Sequence, residues 1–451
     1  MIPSRSLFPT LALGLLAAPA VAQDGAVAVR AGKVITGPGQ VIENGTVVVQ
    51  NGRIVAVGGA DLEVPFDVLL HEHPDAVLFA GFLEAHSSNG MDRPNENVPV
   101  APFLDVADSI DPVSFFYENE LRGGVTGIGI IPGNNTVIGG MGRVVAPHGM
   151  TVEHMSLGDG MGMKIAIGPR FGWSRSAQLA ELREAEEALV DALRRKGQEL
   201  LDQQAAEDDA AAAGDEPADS AGDGDAQDDA GGFVRFGDDY PGKALISEED
   251  LDDGQRGLVH ILNGDVRLWL SCPTATDVAH GMRWASERGL EKVVYVVSAD
   301  AHKAADMLAE ANAMVALVGG LEAVEIDPVS GKEERTFAPT VFAEKGITFS
   351  IGSEKGRMGP DRLGYQAALC MREGMSRADA MALVTANPAK LWGMEGQVGT
   401  LVEGALGNFT LMSGDPLAAD SQVLHVFVRG NHVYDRSKDE RLQRLLEGRN
   451  Q

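Results

Sequence analysis

One histidine stands where a strand-like segment ends and a polar loop begins. His86 follows the mostly apolar residues 80–85 and precedes Ser87-Ser88-Asn89-Gly90. Alternate residues of a strand point to the same side, so imidazoles at positions i and i+2 both reach one divalent metal ion. Position i+2 is Ser88 here. The segment therefore offers one imidazole where a metal-binding His-x-His pair needs two.

Two further groups of residues have the chemistry of a site. His71-Glu72-His73 is the complete His-x-His of the chain, but it precedes the strand of His86, and we interpret it as a surface strand pair. Cys272 follows the predicted strand 266–270. One hypothesis is that its thiol faces His86 and that the Cys–His pair is a nucleophile that needs no metal. A small buried apolar side chain is the favoured interpretation of Cys272.

Strand-like segments lie at both ends of the chain. Residues 26–77 contain several short Val- and Ile-rich runs, and Asn51-Gly52 between two of them is a hairpin turn signal. Similar runs return at 399–402, 408–412 and 425–434. We expect these two ends to form one small β-domain.

The middle of the chain alternates strand and helix patterns, which predicts a parallel sheet. Units of this kind with short turns predict a (β/α)8 barrel, and a doubly wound open sheet is the alternative. The predicted strands are 125–131, 266–270, 292–297, 314–318 and 347–351, and the predicted helices are 115–122, 276–287, 301–311, 338–344, 361–372 and 377–385.

Residues 175–255 interrupt this alternation. A long helix is predicted from Ser176, with leucines at 182, 189, 193 and 200 that we expect to pack on the barrel. Residues 205–232 are almost entirely Ala, Asp, Glu and Gly, and this composition predicts a disordered segment. A solvated linker is the favoured interpretation, and a partner-binding segment is the alternative.

Charge and composition narrow the classes of partner. The 451-residue chain has a formal net charge of −29, which argues against nucleic acid and anionic membrane surfaces. Arg5, the apolar residues 7–16 and Ala20-Val21-Ala22 form a secretory leader pattern, so we expect cleavage near Ala22 and a periplasmic or extracellular protein. The apolar run is too short for a membrane span. Two cysteines allow one disulfide or two buried thiols.

Several segments together resemble the amidohydrolase superfamily, in its imidazolonepropionase-like branch. Residues 80–86 read Ala-Gly-Phe-Leu-Glu-Ala-His, where that family has Pro-Gly-Phe-(Ile/Val)-Asp-Ala-His-x-His. The resemblance covers most of residues 26–175 and 258–435. Its other motifs are Asn95-Glu96, residues 105–112, Gly123-Gly124-Val125-Thr126, Ile138-Gly139-Gly140-Met141-Gly142, Asn387-Pro388-Ala389-Lys390-Leu391-Trp392-Gly393 and Ser413-Gly414-Asp415-Pro416-Leu417.

The resemblance implies a divalent metal centre at the mouth of the barrel, and most of its expected ligands are replaced. A lysine that relatives carry after the Gly-Gly-x-Gly strand, where it is carboxylated and bridges two metals, aligns with Val144-Val145-Ala146. The expected His-Ala-His aligns with Ser271-Cys272-Pro273, and Glu-His-Gly aligns with Val296-Val297-Ser298. Ser-Asp at the last strand becomes Ser353-Glu354. Only His86 and Glu354 keep a coordinating atom, with Glu96 as a further candidate.

Three functions remain open at this point. The favoured one is an exported amidohydrolase-like protein with a degraded metal site and no cofactor, which binds a small molecule or partners an active relative or a second copy of itself. The second is a hydrolase of non-peptide or cyclic amide C–N bonds that uses zinc or another divalent metal held by His86, Glu354 and Glu96. The third is an interaction protein that uses the acidic segment.

The expected domain organisation follows the same resemblance. It is a leader at 1–22, a first β-sandwich part at 23–79, the barrel at 80–394 with its insertion at 175–255, a second sandwich part at 395–436 and a helical tail at 437–451.

Overall fold

The computed structural model describes residues 26–158, 160–213, 232–356 and 359–448, with side chains at 211–213 and 354–361 outside that description. The predicted leader and residues 214–231 of the acidic segment therefore lie outside the described residues. The first strands are β1 (Val27–Gly37), β2 (Gln40–Glu43), β3 (Thr46–Gln50), β4 (Arg53–Gly58) and β5 (Leu69–Phe79).

The middle of the chain supplies the barrel and its helices. In chain order these elements are β6 (Phe82–Ser87), α1 (Phe115–Arg122), β7 (Val125–Ile130), β8 (Ile138–Val145), α2 (Val152–Met155), β9 (Gly162–Ala166), α3 (Arg175–Ala213), α4 (Asp253–Leu262), β10 (Leu268–Ser271), α5 (Ala275–Glu287), β11 (Val293–Val297), α6 (Ala305–Glu310), β12 (Met314–Leu317), β13 (Glu322–Ile326), β14 (Glu333–Phe337), α7 (Ala338–Glu344) and β15 (Thr348–Ile351).

The last elements return to the small sheet. They are β16 (Glu354–Gly356), β17 (Gly359–Asp361), α8 (Leu363–Arg372), α9 (Arg377–Ala382), α10 (Ala386–Trp392), β18 (Phe409–Met412), β19 (Val423–Val428), β20 (Asn431–Asp435) and α11 (Glu440–Gly448). Short 3₁₀ helices occur at Val106–Asp108, Lys243–Leu245, Glu248–Asp250, Ala299–Ala304 and Arg436–Lys438.

The small sheet contains strands from both ends of the chain, in the order β20-β19-β18-β5-β1-β3-β4, with β2 beside β1. The N-terminal and C-terminal parts meet where β5 pairs with β18, with Phe79 opposite Thr410. Valines and phenylalanines on the inner side of this sheet form a separate apolar core, including Val29, Phe409 and Phe427. The predicted small β-domain made from both ends is confirmed.

The barrel sheet has the order β15-β12-β11-β10-β9-β8-β7-β6. Its strands are parallel except β8, which is antiparallel to both of its neighbours. Helix α10 fills the gap between β6 and β15. Trp392 Nε1 donates to the Ala85 carbonyl at 3.0 Å, and Asn387 Nδ2 donates to the Phe349 carbonyl at 2.6 Å. The fold is therefore the predicted α/β barrel, nearly closed and completed by a helix.

The inserted helix α3 packs on the outside of the barrel through the buried Leu182, Leu189 and Leu193. Gln178 near its start donates from Nε2 to the Thr136 and Ala166 carbonyls, each at 2.8 Å. The helix continues to Ala213, so the expectation of disorder from residue 205 is wrong for residues 205–213. Alanine has the highest helix propensity and glutamate a high one, which allows the helix to extend past its packed part.

Both cysteines are buried free thiols, so the disulfide alternative is wrong. No helix in the described ranges combines the length and apolarity needed to cross a membrane.

Candidate functional site

The centre of the candidate site is a direct contact between a histidine and a buried lysine at the carboxyl ends of two barrel strands. His86 lies near the end of β6, and Lys164 lies in β9. Met163 and Ile165, the neighbours of Lys164, pack into the large apolar core, so Lys164 points to the opposite side of the sheet. Its Nζ is 2.8 Å from His86 Nε2. Carboxyl ends of barrel strands are where enzymes of this architecture carry their chemistry.

Burial sets the protonation of this pair. Lys164 has no exposed surface, and burial lowers its pKa to about 7. Burial, followed by the nearby Lys164, lowers the pKa of His86 well below its usual value. The imidazole is therefore neutral around pH 7, and its Nε2 accepts the hydrogen bond from Lys164. Trp269 is the neighbour of Lys164 on β10, and its ring centroid is 6.1 Å from that of His86.

A buried carboxyl lies on the same strand as His86. Glu84 is two residues earlier, is almost fully buried, and accepts a hydrogen bond from the Ser353 backbone N–H at 2.9 Å. Burial raises its pKa to about 7, against the lowering effect of the bonds from Ser353. Burial and the neighbouring Glu84 also raise the pKa of Glu120 to about 8, with Arg362 acting in the opposite direction. Both carboxyls therefore have pKa values close to neutral pH.

Of the two acidic residues predicted for the site, Glu96 does not join it in the described contacts. Glu96 is exposed on the loop between β6 and α1, where it lines a groove with Asn95 and Asp105. No described hydrogen bond or ion pair connects it to His86. The backbone of Glu354 belongs to β16, and its side chain is outside the described part of the chain. The role of Glu354 stays a prediction.

Cys272 faces away from His86, so the hypothesis of a Cys–His nucleophile is wrong. Its Sγ lies 2.7 Å from the position that a Cβ on Gly281 of α5 would occupy, which places the thiol between the barrel and that helix. Burial and Asp277 raise the thiol pKa well above its usual value, so Cys272 stays protonated. The side chain that β10 turns to the same side as Trp269 is Ser271, because alternate residues share a side.

Lys164 and Glu84 lie in this candidate site but are not among the site residues predicted from the sequence. The position of the expected lysine was assigned to Val144-Val145-Ala146. The two valines end β8, Ala146 follows it, and all three are buried among apolar side chains. A buried lysine, Lys164, lies one strand later, on β9. A lone lysine inside the otherwise apolar run Met161-Gly162-Met163-Lys164-Ile165-Ala166-Ile167 is the signal that identifies it, since a buried strand rarely holds an unpaired charge.

The donors present at the barrel mouth do not fit a zinc centre. Zinc sites use three or four imidazole, thiolate or carboxylate ligands. The described residues bring together one imidazole, one amine and the Glu84 carboxyl, while β10 and β11 contribute Ser271 and Val297 where imidazoles are expected. Over the described ranges, the one converging group of three His, Cys, Asp or Glu is His425, His432 and Asp435, which lies in the small β-domain.

Comparisons with known proteins agree with this architecture. Residues 345–434 match the model of the Amidohydrolase family. A solved amidohydrolase from Thermotoga maritima MSB8 is 22% identical with a TM-score of 0.70, and the alignment covers 91% of this chain and 100% of that chain. No curated protein matches the sequence.

Two zinc-bound enzymes are more distant. An adenosine deaminase from Xanthomonas campestris is 17% identical with a TM-score of 0.48, covering 94% of this chain and 97% of its own. An atrazine chlorohydrolase from Arthrobacter aurescens TC1 is 15% identical with a TM-score of 0.48, covering 94% of this chain and 98% of its own. The match over residues 345–434 makes that part of the chain similar to the Amidohydrolase family, and the likeness to the Thermotoga maritima structure shows that the chain has the fold of that amidohydrolase.

Proposed function

We propose that this is an exported amidohydrolase-family protein in which the catalytic metal centre is degraded, and that it acts as a non-catalytic subunit or ligand-binding protein. The observation that supports this most directly is the donor set around His86. The Nε2 atom that a metal ion needs is hydrogen-bonded to Lys164, and Val297 on β11 has no donor atom.

Energetics support the same conclusion. A complete zinc site contributes roughly 10–16 kcal/mol of apparent binding free energy, shared among its ligands. Even the loss of a residue that only orients a ligand weakens metal binding about 10- to 100-fold. A single imidazole with one amine therefore holds a divalent ion weakly, and water bound there keeps a high pKa. The partner we propose is an active relative or a second copy of this chain, and the ligand a small molecule.

One observation favours the hydrolase of amide or cyclic amide C–N bonds as a second candidate. With its pKa lowered to about 7, Lys164 is partly a neutral amine, which is the form that reacts with CO₂ to give a carbamate. A carbamate oxygen is a metal ligand, whereas an amine opposite His86 is a poor one. In this candidate His86, carboxylated Lys164 and Glu354 would hold the divalent ion, and the chemistry it would supply is a bound water of lowered pKa.

Metal analysis of the full chain tests the proposal. We expect that protein from zinc-supplemented medium contains no metal that depends on His86, so His86→Ala and the parent have equal metal content. His425→Asn, in the small β-domain, is the matched control because any metal it loses belongs to a different site. A stoichiometric metal that disappears in His86→Ala and persists in His425→Asn overturns the proposal and establishes the hydrolase. Native mass spectrometry checks the parent for one added CO₂, which the proposal does not expect.

The acidic segment requires a separate test, since residues 214–231 are outside the described structure. If it binds a partner, deletion of residues 206–230 removes a co-purifying protein. An unchanged set of co-purifying proteins contradicts the interaction function.

A further inference from the structure

Four histidines converge in the small β-domain, two from near the beginning of the chain and two from near its end. His71 and His73 lie on β5, His425 on β19 and His432 on β20. The partners of His71 and His73 on β1 are Val29 and Ala31, which belong to the apolar core of this domain. The two imidazoles therefore lie on the core side of β5, and the His432 ring stacks on Phe427 with centroids 4.6 Å apart. The convergence follows from the sheet order and not from sequence proximity.

The donor atoms of His425, His432 and Asp435 have the spacing of a coordination sphere. His425 Nδ1 is 3.0 Å from His432 Nε2 and 3.8 Å from an Asp435 carboxylate oxygen. All three donor atoms lie within 4.8 Å of one another. Ligands at about 2.0–2.1 Å from a tetrahedral zinc ion are roughly 3.3 Å apart, a value between the two measured distances. Small side-chain rotations therefore place all three donors around one ion.

His73 lies beside one of these three residues, His425. The His73 ring centroid is 4.8 Å from that of His425, and His71 lies 6.4 Å from His432 by the same measure. His425 and Asp435 are partly buried, with side-chain exposures of 21% and 15%, while His432 is exposed. The group is therefore open to an ion from solvent on one side and enclosed by protein on the other.

The surroundings of His73, His425 and His432 favour the neutral form of their imidazoles. Burial and the neighbouring His73 and His432 lower the pKa of His425 to about 4. Burial is also the main cause of the lowered pKa of both His73 and His432. Neutral imidazoles have a free lone pair, so binding a cation displaces few protons at neutral pH.

The carboxylate in the group is held in place by the chain that follows it. One oxygen of Asp435 accepts hydrogen bonds from the Ser437 N–H at 2.9 Å and the Ser437 hydroxyl at 2.7 Å. The other oxygen is 3.3 Å from Lys438 Nζ, whose side chain is 79% exposed and free to leave. Supporting bonds of this kind fix the orientation of metal-binding carboxylates.

We propose that His425, His432 and Asp435, with His73 as fourth ligand, form a binding site for a divalent transition metal ion of the Zn²⁺ class. Imidazole and carboxylate donors suit zinc, nickel and copper better than calcium or magnesium. The site joins β19 and β20 from the end of the chain to β5 from its beginning. Its existence does not depend on what the barrel binds.

The test uses full-length, tag-free protein with the substitution His86→Ala, so that the barrel mouth does not contribute. Co²⁺ and Zn²⁺ are titrated into chelator-treated protein, with visible absorption of Co²⁺ reporting tetrahedral coordination and calorimetry giving the Kd for Zn²⁺. We expect one bound ion per chain. His425→Asn and His432→Asn should each weaken Zn²⁺ binding by at least tenfold and remove the tetrahedral Co²⁺ spectrum.

His280→Asn is the matched control, because His280 lies on α5, outside this group, and forms a hydrogen bond with the Arg283 side chain. It should leave the Kd unchanged. Thermal unfolding of each metal-free variant shows whether it is folded, and Zn²⁺ should raise the Tm of the parent and of His280→Asn but not that of His425→Asn. Equal Kd values for the parent, His425→Asn and His432→Asn overturn the proposal, as does the absence of any stoichiometric binding.

Discussion

At the scale of single residues, Lys164 is the most unusual group in the barrel. It is fully buried, its pKa is lowered to about 7, and its described hydrogen-bond partner is a neutral imidazole and not a carboxylate. Burying an amine that is charged in the unfolded chain costs free energy, because the amine loses either its proton or the hydration of its charge. A protein keeps such a group where it has a role, or where a former role has ended and the cost is tolerated.

Replacement of Lys164 by methionine distinguishes these two cases. Methionine has a similar length and no amine, so relief of the burial cost should exceed the loss of one hydrogen bond to His86. We expect the free energy of unfolding at pH 7.5 to rise by about 2 kcal/mol, measured by urea denaturation. Lys292→Met, at an exposed lysine, should change it by less than about 0.5 kcal/mol. A destabilised Lys164→Met indicates that the amine holds a ligand or carbamate, as the hydrolase requires.

At the scale of secondary structure, contacts between strands and helices decide which side chains reach the site. Helix α5 packs so closely on β10 that Gly281 leaves no room for a Cβ beside Cys272. Helix α10 closes the barrel between β6 and β15 through bonds to backbone carbonyls. Both helices fix barrel strands by short contacts to backbone or small side chains, so substitutions at these contacts have large effects.

The contact between α5 and the barrel gives a double-mutant prediction. Gly281→Ala places a methyl group 2.7 Å from Cys272 Sγ, and this overlap should outweigh the gain in helix propensity and destabilise the protein by about 1–2 kcal/mol. In a Cys272→Ala background the same substitution should be neutral or stabilising. Urea denaturation of the four proteins gives the coupling energy, and strictly additive effects contradict the assigned position of the thiol.

The strand and helix pattern is readable from the sequence because it depends on local periodicity. The strand Val293–Val297 and the helix Arg377–Ala382 lie within the predicted strand 292–297 and the predicted helix 377–385. The site is harder to predict from the sequence, because a shift of one residue along a strand moves a side chain to the opposite face of the sheet. Ser271 and Cys272 differ by one position, and this difference puts the thiol under α5 and the hydroxyl on the side of Trp269. Lys164 lies on β9, one strand after the segment in which the sequence predicted that a lysine was replaced.

At the scale of the whole molecule, the barrel is joined to the end of the chain by a buried ion pair. Arg122 of α1 donates from Nε to Asp439 at 2.6 Å and from Nη2 to its other oxygen at 3.1 Å. Tyr434 donates its hydroxyl to the same carboxylate at 3.1 Å. The bonds from Arg122 are the main cause of the lowered pKa of Asp439, about 2. The Asp439 side chain is only 3% exposed, so solvent screens this pair weakly.

This ion pair predicts an acid dependence of stability. The folded pKa of Asp439 is depressed from 3.8 to about 2, so its contribution is complete above pH 3.8 and is lost as the pH falls toward 2. Asp439→Asn should lower the free energy of unfolding by about 2–3 kcal/mol at pH 7, and this difference should shrink in acid. Urea denaturation over a series of pH values measures both effects.

The exposed pair of Arg444 and Glu440 is the control for that measurement. Both side chains are solvent-exposed, so Glu440→Gln should change stability by less than about 0.5 kcal/mol at any pH. A pH-independent difference between the parent and Asp439→Asn contradicts the assigned pKa.

The meeting of β5 and β18 also determines the order in which the protein becomes complete. During synthesis β5 is made before the barrel and β18 after it. The edge of β5 that pairs with β18 therefore has no hydrogen-bonding partner until the barrel residues have been synthesised. Unpaired edges are templates for pairing with other chains, and contacts so distant in sequence form slowly. A nascent or truncated chain that ends before Phe409 therefore exposes the unpaired edge of β5, which can pair with other chains. The edge of β5 is covered only when β18 has been made.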